Sequence, residues 1–268
     1  MKLTEKEFNW IVEYMHNRYG IELGHKRVLI EGRLENYLLK NGYTSYGEFI
    51  NRIASSPDGE EAGDMINILT TNHTFFMREF MHFEYLSRYV LPWIREKKAG
   101  TKDVRIWSAA ASTGEEPYTI AMILNDYFGM EPGWDTQLLA TDISMEVLQK
   151  ASDGIYLTEQ IESIPDRWKR KYFRKINDEQ FQVSRELRKQ IVFKRFNLMD
   201  DIMFKGRFQV VFLRNVMIYF EDQTKQNLLK KIYDHMEDGG YLFIGTTESI
   251  DKISSGFKYI QPSIYRKI

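Results

Sequence analysis

The feature that most constrains the fold of this chain is the change in its hydrophobic pattern after Gly100. Up to that residue the apolar positions repeat at helical spacing, and beyond it short apolar runs alternate with amphipathic helical segments. Strands that alternate with helices in this way predict a mostly parallel sheet with helices on both faces. Buried strands are predicted at residues 103–109, 136–141, 190–196, 208–213 and 241–245, helices at 115–128, 144–152 and 222–236, and one more strand at 257–266.

The first part of the chain predicts a helical module. Thr4 and Glu7 form a capping-box pattern ahead of apolar residues at helical spacing, and Gly20 ends that run. Ser45 and Glu48 repeat the pattern. Further helices are predicted at residues 25–40, 60–69 and 79–98. We therefore expect a helical N-terminal domain at 1–75, a linker helix at 76–100 and a sheet-containing domain at 101–268.

Composition narrows the functional classes. The 268 residues include no cysteine, which excludes disulfides, thiol nucleophiles and thiolate zinc sites and fits a reducing compartment. With 37 Lys+Arg against 38 Asp+Glu, the chain lacks the basic surplus of a general nucleic-acid binder. It shows no apolar signal region and no run of about 18 apolar residues, so we expect a cytoplasmic protein without membrane insertion.

The most informative stretch is WSAAASTGEEPY at residues 107–118. A predicted strand runs through small residues into a helix that begins with Glu115 and Glu116, an arrangement in which a ligand can approach the backbone closely. Neither GxGxxG nor a P-loop signature is present, and the two carboxylates would repel a pyrophosphate. They favour a cationic, donor-rich ligand such as S-adenosylmethionine. The alternative for Glu116 is an ordinary charge in the first turn of a helix.

Polar residues also follow the other predicted strands. Asp142 ends the second strand, where an acid typically accepts hydrogen bonds from ribose hydroxyls; the alternative is that it caps the helix beginning near Ser144. Asn197 and Leu198 follow the third strand and suit an adenine, although a turn residue and a core residue would give the same pattern. Because open α/β sheets bind ligands beyond the carboxyl ends of their strands, we expect these residues to surround one crevice.

Four stretches of the chain resemble one family. TTNHTFFMRE (70–79), WSAAASTGEEPY (107–118), ATDIS (140–144) and RNVMIYF (214–220), in this order, resemble the bacterial chemotaxis receptor methyltransferases, which are CheR-type protein-glutamate O-methyltransferases. The resemblance covers nearly the whole chain. It implies the α/β fold of class I S-adenosylmethionine-dependent methyltransferases: Rossmann-like, with a mostly parallel sheet and an antiparallel final strand. It also implies a helical N-terminal domain and a small β-subdomain, here near residues 167–195.

The resemblance further implies roles for individual residues. Enzymes of this family transfer a methyl group from S-adenosylmethionine to glutamates on the cytoplasmic helices of chemoreceptors, which leaves S-adenosylhomocysteine and glutamate methyl esters. Carried over residue by residue, Arg78 and Tyr219 are expected at the reacting centre. Cofactor contacts are expected from Asn72, Thr74, Arg78, Glu116, Asp142, Asn197, Leu198, Arg214 and Asn215. No metal is expected.

The implied chemistry needs no strong general base. A glutamate carboxylate has a reference pKa of about 4.3 and is already ionised at neutral pH. None of the five histidines lies in the 107–118 or 214–220 motifs or beside Asp142. Alignment and the removal of water from the carboxylate could supply the catalysis. Arg78 could hold a carboxylate of the cofactor or of the substrate, or simply form a surface ion pair with Glu79 or another neighbour.

Two regions could receive an acidic receptor helix. Lys26, Arg27 and Arg33 match part of a basic face that the family is thought to use, although residues 1–75 carry 8 Lys+Arg and 11 Asp+Glu. Residues 167–195 carry 11 Lys+Arg and 3 Asp+Glu, which is either a solvated face or a docking surface. The loop at 177–180 contains no glycine, which favours recognition without a tether to a receptor C-terminal pentapeptide.

Two other functions stay open at this point. The basic stretch is compatible with methylation of RNA or of another protein. The cofactor motifs are also compatible with a module that binds S-adenosylmethionine without turnover. A base-hydrolysable methyl group on receptor glutamates would distinguish a receptor methyltransferase from both.

Overall fold

The computed structural model describes residues 1–70, 72–250 and 256–268. Within these ranges the strands are β1 (Ile106–Ser108), β2 (Leu138–Asp142), β3 (Ile155–Leu157), β4 (Phe173–Lys175), β5 (Gln180–Val183), β6 (Ile191–Arg195), β7 (Phe208–Leu213), β8 (Met236–Ile244), β9 (Phe257–Gln261) and β10 (Ile264–Lys267). The helices are α1 (Glu5–Tyr19), α2 (Arg27–Lys40), α3 (Tyr46–Ser55), α4 (Glu60–Leu69), α5 (Met81–Tyr85), α6 (Leu91–Lys97), α7 (Glu115–Phe128), α8 (Met145–Asp153), α9 (Asp166–Tyr172), α10 (Arg185–Lys189) and α11 (Asp222–Asp234). No helix in the described ranges is long and apolar enough to cross a membrane.

Local capping explains where the N-terminal helices begin and end. The Thr4 hydroxyl accepts a hydrogen bond from the amide of Glu7, whose carboxylate accepts one from the amide of Thr4, so the predicted capping box is confirmed. Gly20 ends α1 at φ 69°, a left-handed conformation that glycine adopts without strain. The Ser45 hydroxyl accepts a hydrogen bond from the amide of Glu48 and so caps α3. The Glu48 carboxylate, however, accepts its hydrogen bond from the amide of Thr44 and not from that of Ser45.

The main sheet has the strand order β6-β2-β1-β7-β8-β10-β9. The strands from β6 to β8 run parallel, and β10 pairs antiparallel with β8 on one side and with β9 on the other. The expected class I methyltransferase arrangement, a mostly parallel sheet with an antiparallel final strand, is therefore confirmed. Strand order reverses between β1 and β7, and at such a point the carboxyl ends of the strands leave a crevice.

The end of the chain differs from the prediction of one strand at 257–266. Two strands, β9 and β10, pair there as an antiparallel hairpin, and Ser263 takes φ 64° in the turn. Apolar residues recur through both strands, so the pattern looks continuous in the sequence. Pro262, which has no amide hydrogen for a sheet ladder, marks the turn that the prediction missed.

The small β-subdomain lies earlier in the chain than the expected residues 167–195. Its antiparallel sheet has the order β3-β5-β4 and therefore spans 155–183. Ile191–Arg195 belongs to the main sheet instead, where it pairs in parallel with Leu138–Asp142. Basic residues occur in both the small sheet and β6 of the main sheet, so composition could not locate the boundary between the β-subdomain and the main sheet.

The hydrophobic core lies on both faces of the main sheet. Along β7, Val210 and Phe212 pack with the linker helices and α7, whereas Val211 and Leu213 pack with α11 and the N-terminal helices. One cluster thus continues from the N-terminal domain onto the sheet. The linker helix is interrupted by a π-helical turn, Leu86–Val90, ahead of a proline that has no amide hydrogen to donate.

Candidate active site

The carboxyl ends of β1, β2, β6 and β7 open into a cleft. Every residue expected at the cofactor lines this cleft, and so does Tyr219. The N-terminal domain adds Tyr19 and Ile21 to its wall, which the sequence did not predict. The cleft is therefore bounded by both domains and by the linker motif.

The turn between β1 and α7 brings backbone close to the cleft. Gly114 takes φ 100°, and a Cβ there would lie 2.8 Å from Tyr156 Oη and 2.9 Å from Ala151 Cβ. A side chain at this position would therefore combine a disfavoured conformation with a clash. Ser112 has φ 48°, which is uncommon for a residue other than glycine, and it lines the cleft.

The two carboxylates that follow this turn have different environments. Glu116 lines the cleft. Glu115 is buried and accepts a hydrogen bond from the Thr113 hydroxyl at 2.7 Å; burial raises the pKa of its carboxyl. The expectation that both carboxylates face a ligand is therefore wrong for Glu115, because successive residues of a helix point in different directions.

Asp142 is buried at the end of β2, and both of its carboxylate oxygens accept backbone amides. Ser112 N donates to Oδ2 at 2.9 Å and Ser144 N donates to Oδ1 at 3.0 Å. Burial raises the pKa of Asp142, and these hydrogen bonds oppose that shift. Helix α8 is capped by Ser144 itself, whose hydroxyl accepts from Val147 N at 3.1 Å, so the alternative that Asp142 caps it is wrong.

Arg214, at the end of β7, lies buried between two carboxylates. Its Nη1 donates to Glu116 Oε2 at 2.7 Å, and its Nη2 donates to Glu79 Oε2 at 3.0 Å. Glu116 also accepts a hydrogen bond from Ser108 Oγ at 2.7 Å. The first turn of α7, which follows β1, and the end of β7 thus place an anion and a cation side by side in the cleft. This arrangement suits the ammonium and carboxylate of an amino acid.

Arg78 lines the cleft from the linker motif. Its Nη1 donates to the carbonyl of His73 at 2.8 Å, and its guanidinium carbon lies 5.8 Å from the centre of the Phe75 ring. Arg78 makes no ion pair within the part of the chain that the structure describes. The alternative of a surface salt bridge with Glu79 is therefore wrong, because Glu79 pairs with Arg214 instead.

The rest of the linker motif joins the cleft through its backbone. The carbonyl of Asn72 accepts a hydrogen bond from Ser112 Oγ at 3.0 Å, which connects the linker to the turn after β1. Thr74 lines the same wall. Thr71, which belongs to the resembling stretch, lies outside the described residues.

The loop after β6 is held from two sides. Asn197 Nδ2 donates to the carbonyl of Arg18 in the N-terminal domain at 2.8 Å, and its Oδ1 accepts from Met199 N at 3.0 Å. Lys231 Nζ donates to the carbonyls of residues 198, 199 and 200 at 2.8, 2.9 and 2.8 Å. The side-chain amide of Asn197 is thus used within the protein, while Leu198 packs at the cleft wall.

Tyr219 joins the cleft to the N-terminal domain. Its carbonyl accepts a hydrogen bond from Glu22 N at 2.9 Å, next to an antiparallel bridge between Ile21 and Phe220. Lys26 Nζ lies 5.4 Å from the centre of the Tyr219 ring. Of the three cations expected to dock a substrate, Lys26 therefore adjoins the cleft.

Arg27 and Arg33 have partners inside the helical domain. Arg27 pairs with Glu5 at 2.5 Å and with Glu31 at 3.3 Å. Arg33 Nη1 donates to the carbonyls of residues 68, 69 and 70 at 3.1, 3.4 and 3.1 Å, where α4 ends. Both guanidinium groups therefore stabilise the helical domain, Arg33 by satisfying carbonyls that a helix end leaves unpaired.

Two further carboxylates, which were not expected at the cofactor, organise the cleft. Glu79 pairs with Arg214, and its position next to Arg78 in the linker motif is the signal that could have identified it. Glu248 accepts hydrogen bonds from the amides of Gly245, Asn215 and Ile218 at 2.6, 2.9 and 3.2 Å. It follows β8 outside any resembling stretch, so no sequence pattern pointed to it.

Comparisons with known proteins cover both domains. The family model described as "CheR methyltransferase, all-alpha domain" matches residues 6–70, and that described as "CheR methyltransferase, SAM binding domain" matches residues 72–266. The chemotaxis protein methyltransferase of Borreliella burgdorferi is 38% identical over 272 residues, covering 100% of this chain and 96% of that protein. Its namesake from Escherichia coli is 35% identical over 271 residues, covering 99% and 92%.

Among solved structures, the glycopeptide N-methyltransferase MtfA complexed with S-adenosylmethionine is 13% identical, with a TM-score of 0.33 over 59% of this chain and 53% of its own. Similarity at that level establishes no relationship by itself. The full-length matches do, since they span the helical domain, the linker motif and the sheet. The chain therefore belongs to the CheR methyltransferase family and is a methyltransferase that carries an all-alpha domain followed by the family's SAM-binding domain.

Proposed function

We propose that this enzyme transfers a methyl group from S-adenosylmethionine to glutamate side chains on the cytoplasmic helices of chemoreceptors. The products would be S-adenosylhomocysteine and a glutamate methyl ester, formed in the cytoplasm where those helices lie. The observation that carries the proposal is the single cleft lined by every residue expected at the cofactor and the reacting centre. The relatives named as chemotaxis protein methyltransferases support a chemoreceptor as the methyl acceptor.

The polar groups of the cleft suit this cofactor. Glu116 and Arg214 offer opposite charges for an ammonium and a carboxylate. Asp142 offers carboxylate oxygens for ribose hydroxyls, and Leu198 offers an apolar face for adenine. When bound, S-adenosylmethionine supplies a methyl group activated by its sulfonium. The reaction requires no metal, because the group that leaves is a neutral thioether.

The side chains at the reacting end would bind and orient the acceptor without taking a proton from it. A glutamate carboxylate is ionised at neutral pH, so it is already a nucleophile. The guanidinium of Arg78 would orient a carboxylate, and the rings of Phe75 and Phe83 in the cleft wall would exclude water from it. Tyr219 would contact the acceptor near the reacting centre. A site with little water favours this reaction, because the two reactants lose charge as they combine.

We expect Lys26 to meet the acidic receptor helix, because its ammonium adjoins Tyr219 at the cleft. The basic surface of α9 is partly neutralised, since Arg167 and Lys171 pair with Asp126 at 2.8 and 3.6 Å. The turn between β4 and β5 is closed by Asn177, whose Oδ1 accepts the amides of residues 179 and 180 at 2.9 and 2.8 Å. So compact a turn favours recognition without a tether to a receptor C-terminal pentapeptide.

The experiment combines the full-length protein, methyl-labelled S-adenosylmethionine and a chemoreceptor cytoplasmic fragment. Label on the receptor that mild base releases as methanol supports the proposal. A fragment whose methylated glutamates are replaced by glutamine is the control and should stay unlabelled. Base-stable label, label in added RNA but not in receptor, or cofactor binding without any product would contradict the proposal. Excess pentapeptide should leave the rate unchanged, and inhibition would show that a tether is used.

A further inference from the structure

Arg214 is a buried cation with two carboxylate partners. Its side chain is 2% exposed, and those of Glu79 and Glu116 are 13% and 12% exposed. Nη1 of Arg214 donates to Glu116 Oε2 at 2.7 Å, while Nε and Nη2 both donate to Glu79 Oε2, at 3.3 and 3.0 Å. One positive charge is therefore shared between two negative charges at the junction of the linker with β1 and β7.

The two carboxylates are held to different degrees. The second oxygen of Glu79, Oε1, accepts hydrogen bonds from Asn215 Nδ2 at 3.2 Å, Thr246 N at 3.2 Å and Thr246 Oγ1 at 3.1 Å. The Glu116 carboxylate accepts, besides the hydrogen bond from Arg214, one side-chain hydrogen bond within the described residues, from Ser108 Oγ. Glu116 lines the cleft, whereas Glu79 is not among the described residues that line it. Glu79 is thus fixed behind the cleft, and Glu116 faces into it.

The backbone and charge of Glu79 agree with a fixed role. It has φ 58°, a conformation that a non-glycine residue keeps only where its surroundings impose it. Burial would raise the pKa of its carboxyl, but the charge of Arg214 and hydrogen bonds from Thr246, Arg214 and Asn215 lower that pKa to about 2. Glu79 is therefore a negative charge throughout the physiological pH range.

We propose that Glu79 is the permanent counter-ion of Arg214 and that Glu116 is the exchangeable one. A ligand ammonium requires the Glu116 carboxylate, so Arg214 must share or release that partner when the proposed cofactor binds. A buried charge that loses its only partner is strongly unfavourable, and Glu79 prevents this because it continues to compensate Arg214. Glu79 is then a positioning residue: it touches no ligand atom but makes Glu116 available. This inference rests on the cofactor of the proposed function.

Removal of the Glu79 charge should weaken the binding only of ligands that carry the ammonium and carboxylate of an amino acid. Arg214 would then keep Glu116 as its only carboxylate partner among the described residues, and a ligand ammonium would have to compete for it. S-adenosylhomocysteine carries the ammonium and carboxylate. 5′-Methylthioadenosine shares its adenosine and thioether but lacks both charged groups. A merely structural defect would weaken the binding of both ligands. Comparison of the two ligands therefore distinguishes a structural defect from the loss of the Glu79 charge.

Calorimetry on the full-length protein with these two ligands tests the proposal. Glu79→Gln is expected to weaken S-adenosylhomocysteine binding about 10- to 100-fold and 5′-methylthioadenosine binding less than about threefold. Glu84→Gln is the matched control, because Glu84 is a linker carboxylate five residues further along, in α5, and pairs with the exposed Arg88 at 3.6 Å. It should change neither affinity. Thermal unfolding of each sample verifies that the variant is folded.

Thr246→Val provides a second variant, since it keeps the charge of Glu79 and removes one hydrogen-bond donor to it. We expect a smaller loss of affinity that is again selective for S-adenosylhomocysteine. If Glu79→Gln does not fold, the result for Thr246→Val tests the proposal in its place. If the affinities for both ligands fall equally, or if the affinity for S-adenosylhomocysteine does not change, the inference is overturned and the proposed function is left intact. Wild-type protein that does not bind S-adenosylhomocysteine overturns both.

Discussion

The side-chain amide of Asn197 donates a hydrogen bond to the main-chain carbonyl of Arg18 at 2.8 Å, across 179 positions of the chain. The contact ties the loop after β6 to the end of α1. The neighbouring Leu198 lines the cleft, so the same loop contacts the N-terminal domain and forms part of the cleft wall. The N-terminal domain is therefore part of the cleft wall and not only an appended docking module.

Asn197→Asp should weaken this contact between the domains. A carboxylate oxygen would replace the amide donor that now faces the Arg18 carbonyl, and we expect the free energy of unfolding to fall by about 1 to 3 kcal/mol. Urea unfolding measures the change. Asn227→Asp, on the exposed side of α11, is the control and should shift it by less than about 0.5 kcal/mol. Equal unfolding midpoints for the two variants would show that the hydrogen bond contributes nothing.

Asp142→Ala and Ser144→Ala should separate ligand binding from helix capping. Loss of the Asp142 carboxylate is expected to weaken S-adenosylhomocysteine binding at least about tenfold, because a ribose would lose its acceptor. Ser144→Ala removes the cap of α8 and should cost about 1 kcal/mol of unfolding free energy with little change in affinity. Calorimetry and urea unfolding on both variants check this. Unchanged affinity in Asp142→Ala would exclude Asp142 from the cofactor site.

Arg78→Ala should abolish most methyl transfer without unfolding the protein. Misorientation of a reacting carboxylate typically costs about 100-fold in rate, and we expect a loss of at least that size in receptor methylation. Arg88→Ala is the control, because the Arg88 side chain is 71% exposed and pairs with Glu84 alone among the described residues. Turnover like that of the wild type in Arg78→Ala would contradict the assignment.

Stability should fall in mild acid because of His82. This buried histidine lies 3.4 Å from Glu79 and packs against the Phe243 ring; burial, and then the charge of Arg214, lower its pKa to about 4 while Glu79 opposes the shift. The unfolded chain takes up the proton first, near pH 6.5, so the free energy of unfolding should decrease by about 2 to 3 kcal/mol as pH falls from about 6.5 to 4.

Urea unfolding between pH 7 and pH 4 measures this slope. His82→Gln should flatten it, whereas His25→Gln, at an exposed position, should leave it unchanged. Glu79, whose pKa is lowered, contributes stability that is lost only at still lower pH, from about 4.5 down to about 2. Parallel pH profiles for wild type and His82→Gln would contradict the prediction.

Two glycine substitutions should have opposite effects. Gly114→Ala would force a side chain into φ 100° and into contact with Ala151 and Tyr156, and we expect a loss of at least about 2 kcal/mol of unfolding free energy. Gly32→Ala lies within α2 with nothing within 4 Å of the new Cβ, so it should stabilise by about 0.5 to 1 kcal/mol. Thermal unfolding compares them, and shifts of the same sign would contradict the argument.

The sequence by itself determined the features that depend on nearby residues. The N-caps Thr4 and Ser45 and the helix bounds Glu115–Phe128 followed from capping and apolar spacing, which act within a few positions. It also determined that polar residues at strand ends would meet, because parallel strands present their carboxyl ends at one edge of a sheet. That rule is why the residues expected at the cofactor line one cleft.

Only the tertiary structure decided which charged and polar groups are partners. Glu79 and Arg214 are 135 positions apart, and no spacing in the chain marks such a pair. Arg33, expected at a substrate, donates to carbonyls at the end of α4 because helix packing places it there. The partner of a charge depends on where the two hydrophobic layers bring distant segments together. That packing depends on residues throughout the chain, so no single motif predicts it.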